Sequence, residues 1–337
     1  MRLFQSVLNF QIPPSAGGLL SNCGSMEMDH IVNETKAKVL VCFKIFTAYF
    51  FKKKPKALYA PTHALYAVAQ ELAPVLVEML ATLKDAETAT LNGYVNTAVK
   101  VGIDILCTLA KEEDFRQFFM LNSYKLFMQV VLPYLRLSAK EREELETEPK
   151  EFVNYGQDIC QKQKSRTYKS QAAKLFENLV DNIDGMLTFS FDLLLQMLAS
   201  VLAGEAPVQA YVREVLTKFN LQLGSEEELL DMCLLALTIV SYSVVKRAEL
   251  LGSLDSLLAQ HLDKLMGASV LIRSRTCLLL AFYLDQLFAS LPDGEAAVQK
   301  CMLFLFQSVG LKERAVSLQA LDALSSQINE GVLKQKV

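Results

Sequence analysis

Along most of this chain the apolar residues recur at the three- and four-residue steps of a helix, not at the alternate positions of a strand. Ala172, Leu175, Phe176, Leu179, Val180 and Ile183 fall on one helical face, and Leu311, Ala315, Leu318, Leu321, Leu324 and Ile328 make a second such stripe. Two segments, Met232–Val245 and Cys277–Leu284, are apolar nearly all round, so helices there need cover on several sides. The pattern predicts helices near 29–53, 62–84, 91–110, 112–133, 149–163 and 168–184. Ser138 with Glu141 and Ser225 with Glu228 have the capping-box spacing, in which each side chain satisfies a backbone N–H of the first turn. Asn92-Gly93 and Asp293-Gly294 would suit a hairpin, yet each leads into a helical run, Tyr94–Leu109 and Ala296–Phe306. The expected class is all-α.

Glycine spacing gives that class an organisation. Beyond residue 180 the glycines stand at 185, 204, 224, 252, 267, 294, 310 and 331. Every second one, 185, 224, 267 and 310, is separated by steps of 39, 43 and 43. A glycine just past a helix end takes up the left-handed cap conformation, so this rhythm reads as helix, turn, helix, turn. The step matches the ~40–47-residue period of HEAT and armadillo repeats. The expected architecture is a right-handed α-α superhelix of antiparallel helix pairs, continuous over 1–337, with loops at 10–27 and 134–148.

Composition narrows the function classes. Apolar residues make up 52% and mean hydropathy is +0.24, which is ample for a large core and unlike a disordered chain. A net charge of −3 and a pI near 5.8 supply no basic field for nucleic acid. The longest uncharged apolar run, Met232–Val245, has 14 residues, short of the ~18 that span a bilayer, so no membrane partner is expected. The seven cysteines (23, 42, 107, 160, 233, 277 and 301) stand singly, as reduced thiols of the cytosol or nucleus do. No phosphate loop, nucleophile elbow or metal-ligand spacing occurs, and His30, His63 and His261 lie far apart. Cys23 near His30 imitates a thiol–imidazole pair, but in a Gly/Ser-rich loop. Neither an enzyme nor a cofactor is expected. Two charged clusters remain. Lys52, Lys53, Lys54 and Lys56 around Pro55 suit a solvated helix end or, alternatively, a docking patch. Glu141, Glu143 and Glu144 suit a solvated loop and helix start, or an acidic contact for a basic cargo.

Four ordered segments resemble the importin-β (karyopherin) superfamily. Val130–Val153 has an apolar Pro133-Tyr134-Leu135 helix end, an acidic stretch, and the step Glu148-Pro149-Lys150-Glu151-Phe152-Val153 into the next helix. Proline and acidic residues suit that first turn. Ile272-Arg273-Ser274-Arg275-Thr276-Cys277 is similar to the family's Arg-x-Arg-x-Cys helix start, and Ala315–Leu324 to a helix one repeat on. Lys36–Lys54 resembles a lysine-rich, aromatic-ended helix upstream. The resemblance implies an internal segment of a longer nucleocytoplasmic transport receptor that shuttles between nucleus and cytoplasm and passes transiently through the nuclear pore. It implies protein cargo on the inner helices and Phe-Gly nucleoporins between outer helices. Ran-GTP would bind only through repeats upstream of the matching region. Arg273 and Arg275 are expected to tie neighbouring repeats together. The alternative from the same helical pattern is a HEAT scaffold or adaptor unrelated to transport.

Overall fold

The computed structural model describes residues 34–45, 64–83, 93–161, 167–203, 225–290 and 294–330, with positions 214 and 217. Those residues are helical, with no strand among them. They form two compact units: Met1–Tyr134 with Arg166–Asn182, and Leu135–Ser165 with Ile183–Val337.

The first unit contains α1 (34–45), α2 (Ala64–Leu83), α3 (Gly93–Leu109) and α4, which begins at Arg116. The regular turns Arg116–Leu126 of α4 pass into a wider π-turn at Phe127–Val131 and end in Leu132–Leu135. Pro133 lacks an N–H and its ring crowds the carbonyl four residues back, at Gln129. The widened turn opens the helix around that carbonyl. α7 (Tyr168–Asn182) returns to this unit and packs on α3 and the π-turn. Its buried face carries Ala172, Leu175, Phe176 and Leu179, four of the six stripe positions; Val180 is half-buried. Phe176 meets Phe127 with ring centroids 5.0 Å apart, and the Tyr134 hydroxyl donates to the Leu80 carbonyl at 2.9 Å.

The second unit holds α5 (Ala139–Thr147), α6 (Pro149–Cys160), α8 (Met186–Ala203), α9 (Glu226–Ile239), α10 (Ala248–Met266), α11 (Val270–Ser290), α12 (Gly294–Val309) and α13 (Arg314–Glu330). α9 packs on α11 and α11 on α13, while α10 packs on α12. α11 also touches α10 and α12, so its nearly all-apolar stretch Cys277–Leu280 is covered on several sides. In α9 every residue from Leu229 to Ile239 is buried. α8 packs against α9 and α10 at one end. α6 contacts α9, α11 and α13, the last most extensively.

Several expectations change. The segment 134–148 is not all loop: Ala139–Thr147 is a helix, started by the Ser138 capping box. The second stripe holds only in part: Ala315 and Leu324 are buried and Leu311 and Leu318 half-buried. α13 buries Ala315, Val316, Gln319, Ala320 and Ala323, while Leu321 and Ile328 remain 48% and 49% exposed. Small residues fill much of the buried side of α13, whose most extensive packing is against α11. The glycine rhythm marks helix ends only in part. Gly185 has φ +76 at the turn after α7. Gly267 ends α10 in the right-handed region (φ −79), and Gly252 lies inside α10. The 10–27 loop lies outside the described residues.

Candidate functional site

Two of the four resemblance segments, Val130–Val153 and Ile272–Cys277, meet in the second unit around Arg275. Burial of α11 places this side chain in the core with 2% of its surface exposed. Its Nε donates to Oδ1 of Asp231 on α9 at 2.6 Å, and Asp231 is wholly buried. Its Nη2 lies 3.6 Å from Oε1 of Glu141 on α5. The guanidinium also sits over the Phe152 ring of α6, 4.8 Å from its centroid. Gly156, one turn on, leaves the remaining room: a Cβ there would come within 2.8 Å of Arg275 Nη1. Burial by itself would lower the Arg275 pKa; the charges of Asp231 and Glu141 and the Asp231 hydrogen bond raise it above its ordinary value. One cation is thus shared between two buried carboxylates, and only directional hydrogen bonds and opposite charge make that tolerable in a core.

Glu141 serves both ends of this arrangement. Its Oε2 accepts from the Ser138 N–H at 2.9 Å and from the Ser138 hydroxyl at 2.8 Å, while the Glu141 N–H donates to Ser138 Oγ at 3.2 Å. Its other oxygen faces Arg275. At 3% exposure it cannot meet a basic cargo, which corrects its place in an acidic patch. Glu143 is exposed, and Glu144 pairs with Lys140 at 2.9 Å. The Lys52, Lys53, Lys54 and Lys56 cluster lies outside the described residues, as do Cys23, His30 and His63.

The other motif residues surround this core. Glu148 precedes α6 and is exposed, Pro149 is its first residue, and Glu151 is exposed in its first turn. Phe152 and Val153 are buried at 1% and 2%. Arg273 reaches Glu313, ahead of α13, at 3.0 Å. Cys277 is buried, and its thiol is pushed up to about 12 chiefly by burial. Arg136 and Arg142 pair with Glu228 at 3.3 and 3.5 Å, while Ser225 Oγ caps α9 by accepting from the Glu228 N–H at 3.2 Å.

Beside the ion cluster an open cleft of ≈ 600 Å³ separates the α5–α6 corner from the starts of α11 and α13. Arg142, Leu145, Glu146 and Pro149 form one wall, Val270 and Leu271 another, and Lys312, Glu313 and Arg314 a third. Neither histidine nor cysteine lines it. No group of three or more His, Cys, Asp or Glu with metal-binding geometry occurs among the described residues. The cleft lining combines the Thr147 and Ser269 hydroxyls with charged side chains of both signs.

In the first unit, Asp104 pairs with Lys44 at 2.9 Å and Lys174 at 3.2 Å. Burial alone would raise the Asp104 carboxyl, but the Lys44 hydrogen bond and the two ammonium charges bring it below its usual value. Among the described residues one helix, Met186–Ala203, is long and apolar enough by composition to cross a membrane, although Asp192 keeps it from being an uncharged run. Met186, Phe191, Leu194, Met197 and Leu198 of that helix are buried, as in a core helix packed on α9 and α10. Comparison with family models, with curated proteins and with solved structures finds no match for this chain.

Proposed function

We propose that the chain is a HEAT-type helical repeat segment of a nuclear transport receptor, binding protein cargo and Phe-Gly nucleoporins and carrying no catalysis. The observation that supports the repeat organisation most directly is the spacing of equivalent contacts. α9, α11 and α13 begin at Glu226, Val270 and Arg314, two steps of 44 residues. The cross-links between them keep nearly that step: Arg275 to Asp231 over 44 residues, Tyr283 hydroxyl to the Leu237 carbonyl over 46, Gln327 amide to the Ala281 carbonyl over 46, and Arg273 to Glu313 over 40. Recurrence of one contact at one sequence interval is what stacked copies of a helix pair produce, and the interval lies within the HEAT range. Superhelical stacking is the finer part of this proposal.

Transport rests on the resemblance of Glu148–Val153 and of Ile272–Cys277 to the importin-β superfamily. Those two segments are brought together through Phe152 and Arg275. Shuttling between nucleus and cytoplasm goes with that reading, and it assigns no Ran contact to any residue here. The test is retention of the purified chain on immobilised Phe-Gly repeat peptide against a Ser-Gly control. Selective retention at micromolar concentration is expected. Equal retention on both supports would overturn transport and leave a repeat scaffold.

A further inference from the structure

We infer that α5–α6 is a displaceable strap, and that the α9–α11–α13 face beneath it is a groove for a helix of another protein built on the pattern of α6. The inference is independent of the transport reading.

In a stack of helix pairs each element meets its neighbours in sequence order. α6 departs from this. It lies across α9, α11 and α13 together, and its Gln157 amide donates to Asp322 of α13 at 2.7 Å, a link spanning 165 residues. It therefore covers a face to which all three helices contribute. What it presents to that face is a compact pattern: Phe152, Val153, Gly156, Ile159 and Cys160, all buried, at the i, i+1, i+4, i+7, i+8 positions of one helical side. This is a helix seated in a groove, the form in which one protein commonly holds another's helix.

Three features make the seat releasable. First, Glu141 is the one buried residue of α5. That helix is held down by polar contacts through Glu141 and Arg142, with no buried apolar residue of its own. Second, the cleft of ≈ 600 Å³ runs under the α5–α6 corner, so Leu145 and Pro149 border open space instead of packed core. Third, the strap seals buried charges whose hydrogen bonding is incomplete. Asp231 Oδ2 accepts no hydrogen bond, and Arg275 Nη2 has only its 3.6 Å ion-pair contact with Glu141. Lifting α6 returns them to water, and that recovered hydration offsets much of the lost apolar contact. A helix entering from another protein would regain the apolar contact. It needs an aromatic residue to lie under the Arg275 guanidinium and a small residue four positions on where Gly156 now sits.

The experiment uses the full chain and a fluorescent peptide of residues 148–161, whose sequence is that of α6. Hydrogen exchange of the wild type should be at least ten-fold faster over 139–160 than over 229–239 and 271–284. Glu141→Gln should speed exchange over 139–160 by a further ten-fold and leave the helices beneath unchanged. The same substitution should tighten peptide binding at least ten-fold. A second variant, Gln157→Cys with Asp322→Cys, should bind the peptide when reduced and lose binding when oxidised. Exchange over 139–160 as slow as over 271–284 in both proteins would overturn the strap. Peptide binding unaffected by oxidation of the double-cysteine variant would overturn the groove.

Discussion

Arg275 carries two carboxylates, a ring and a glycine, so its removal leaves more than a vacancy. Arg275→Met would strand Asp231 and Glu141 without a counter-charge in the core, a change that typically costs ~3–5 kcal/mol. Urea unfolding should show that loss, and Arg275→Met combined with Asp231→Leu should recover part of it. A double variant as unstable as the sum of the two singles would contradict the shared-cation arrangement. The thiols give a second residue-scale prediction. Burial is the largest cause pushing Cys107, Cys277 and Cys301 up to about 12, whereas unfolded thiols ionise near ~8.5. Above that lower value the unfolded chain binds fewer protons than the folded one. Stability should therefore hold below about pH 8 and decline as pH rises from ~8.5 toward ~12. Urea midpoints at pH 7.5 and 9.5 check the sign, and Cys277→Ala should flatten the slope. Arg275 itself was visible in the sequence as a tie between repeats, but its partner was not. Asp231 hides in the acidic-to-apolar passage Glu226–Cys233, and the usable signal was that it stands one 44-residue step before Arg275. Glu141 was read as surface charge because a glutamate amid Lys140, Arg142, Glu143 and Glu144 gives no sign that one capping side chain is also turned inward.

Helical periodicity told which elements exist better than which face each one buries. α7 was legible because its buried side is its large-residue side, Leu175, Phe176 and Leu179. α13 was legible only in part: Ala315 and Leu324 are buried as the stripe required, but Ala320 and Ala323 fill the closely packed side while Leu321 and Ile328 turn outward. A hydrophobicity count favours leucine over alanine at a contact; packing density favours whichever fits. Ala320→Leu should thus cost roughly 1–3 kcal/mol by overpacking, and Leu321→Ser should stay within about ±0.5 kcal/mol. Thermal unfolding of the two variants separates them, and the reverse ranking would restore the sequence-derived stripe. Helix ends follow the same lesson. Gly185 does need its positive φ, but Gly252 is simply a residue of α10, so evenly spaced glycines recorded the repeat length without marking every boundary. α5 was lost to the loop expectation because its nine residues carry a single leucine and no apolar stripe, leaving only the capping box to announce it.

The chain passes between its two compact units more than once. α4 ends where the first gives way to the second, α5 and α6 belong to the second, α7 returns to the first, and α8 begins the second again after Ile183–Gly185. Nothing in the hydrophobic pattern announces this, since striped helices such as α7 and α10 occur in both units; partition is a property of long-range contact, which periodicity does not encode. Chains above roughly 150 residues with more than one core commonly unfold in more than one step. This chain contains no tryptophan, so one introduced indole reports one site without background. Phe118 in α4 and Phe189 in α8 are half-buried and leave room for the larger ring. Phe118→Trp and Phe189→Trp, each unfolded in urea and followed by fluorescence and by far-ultraviolet dichroism, should give fluorescence midpoints that differ from each other. The dichroism curve of either protein should span both midpoints, because helix is lost in both units. Superimposable curves from the two indoles and from dichroism would instead mean that the two units unfold as one cooperative body. In that case Arg275→Met would lower both midpoints equally, whereas separate cores confine its effect to the Phe189→Trp signal.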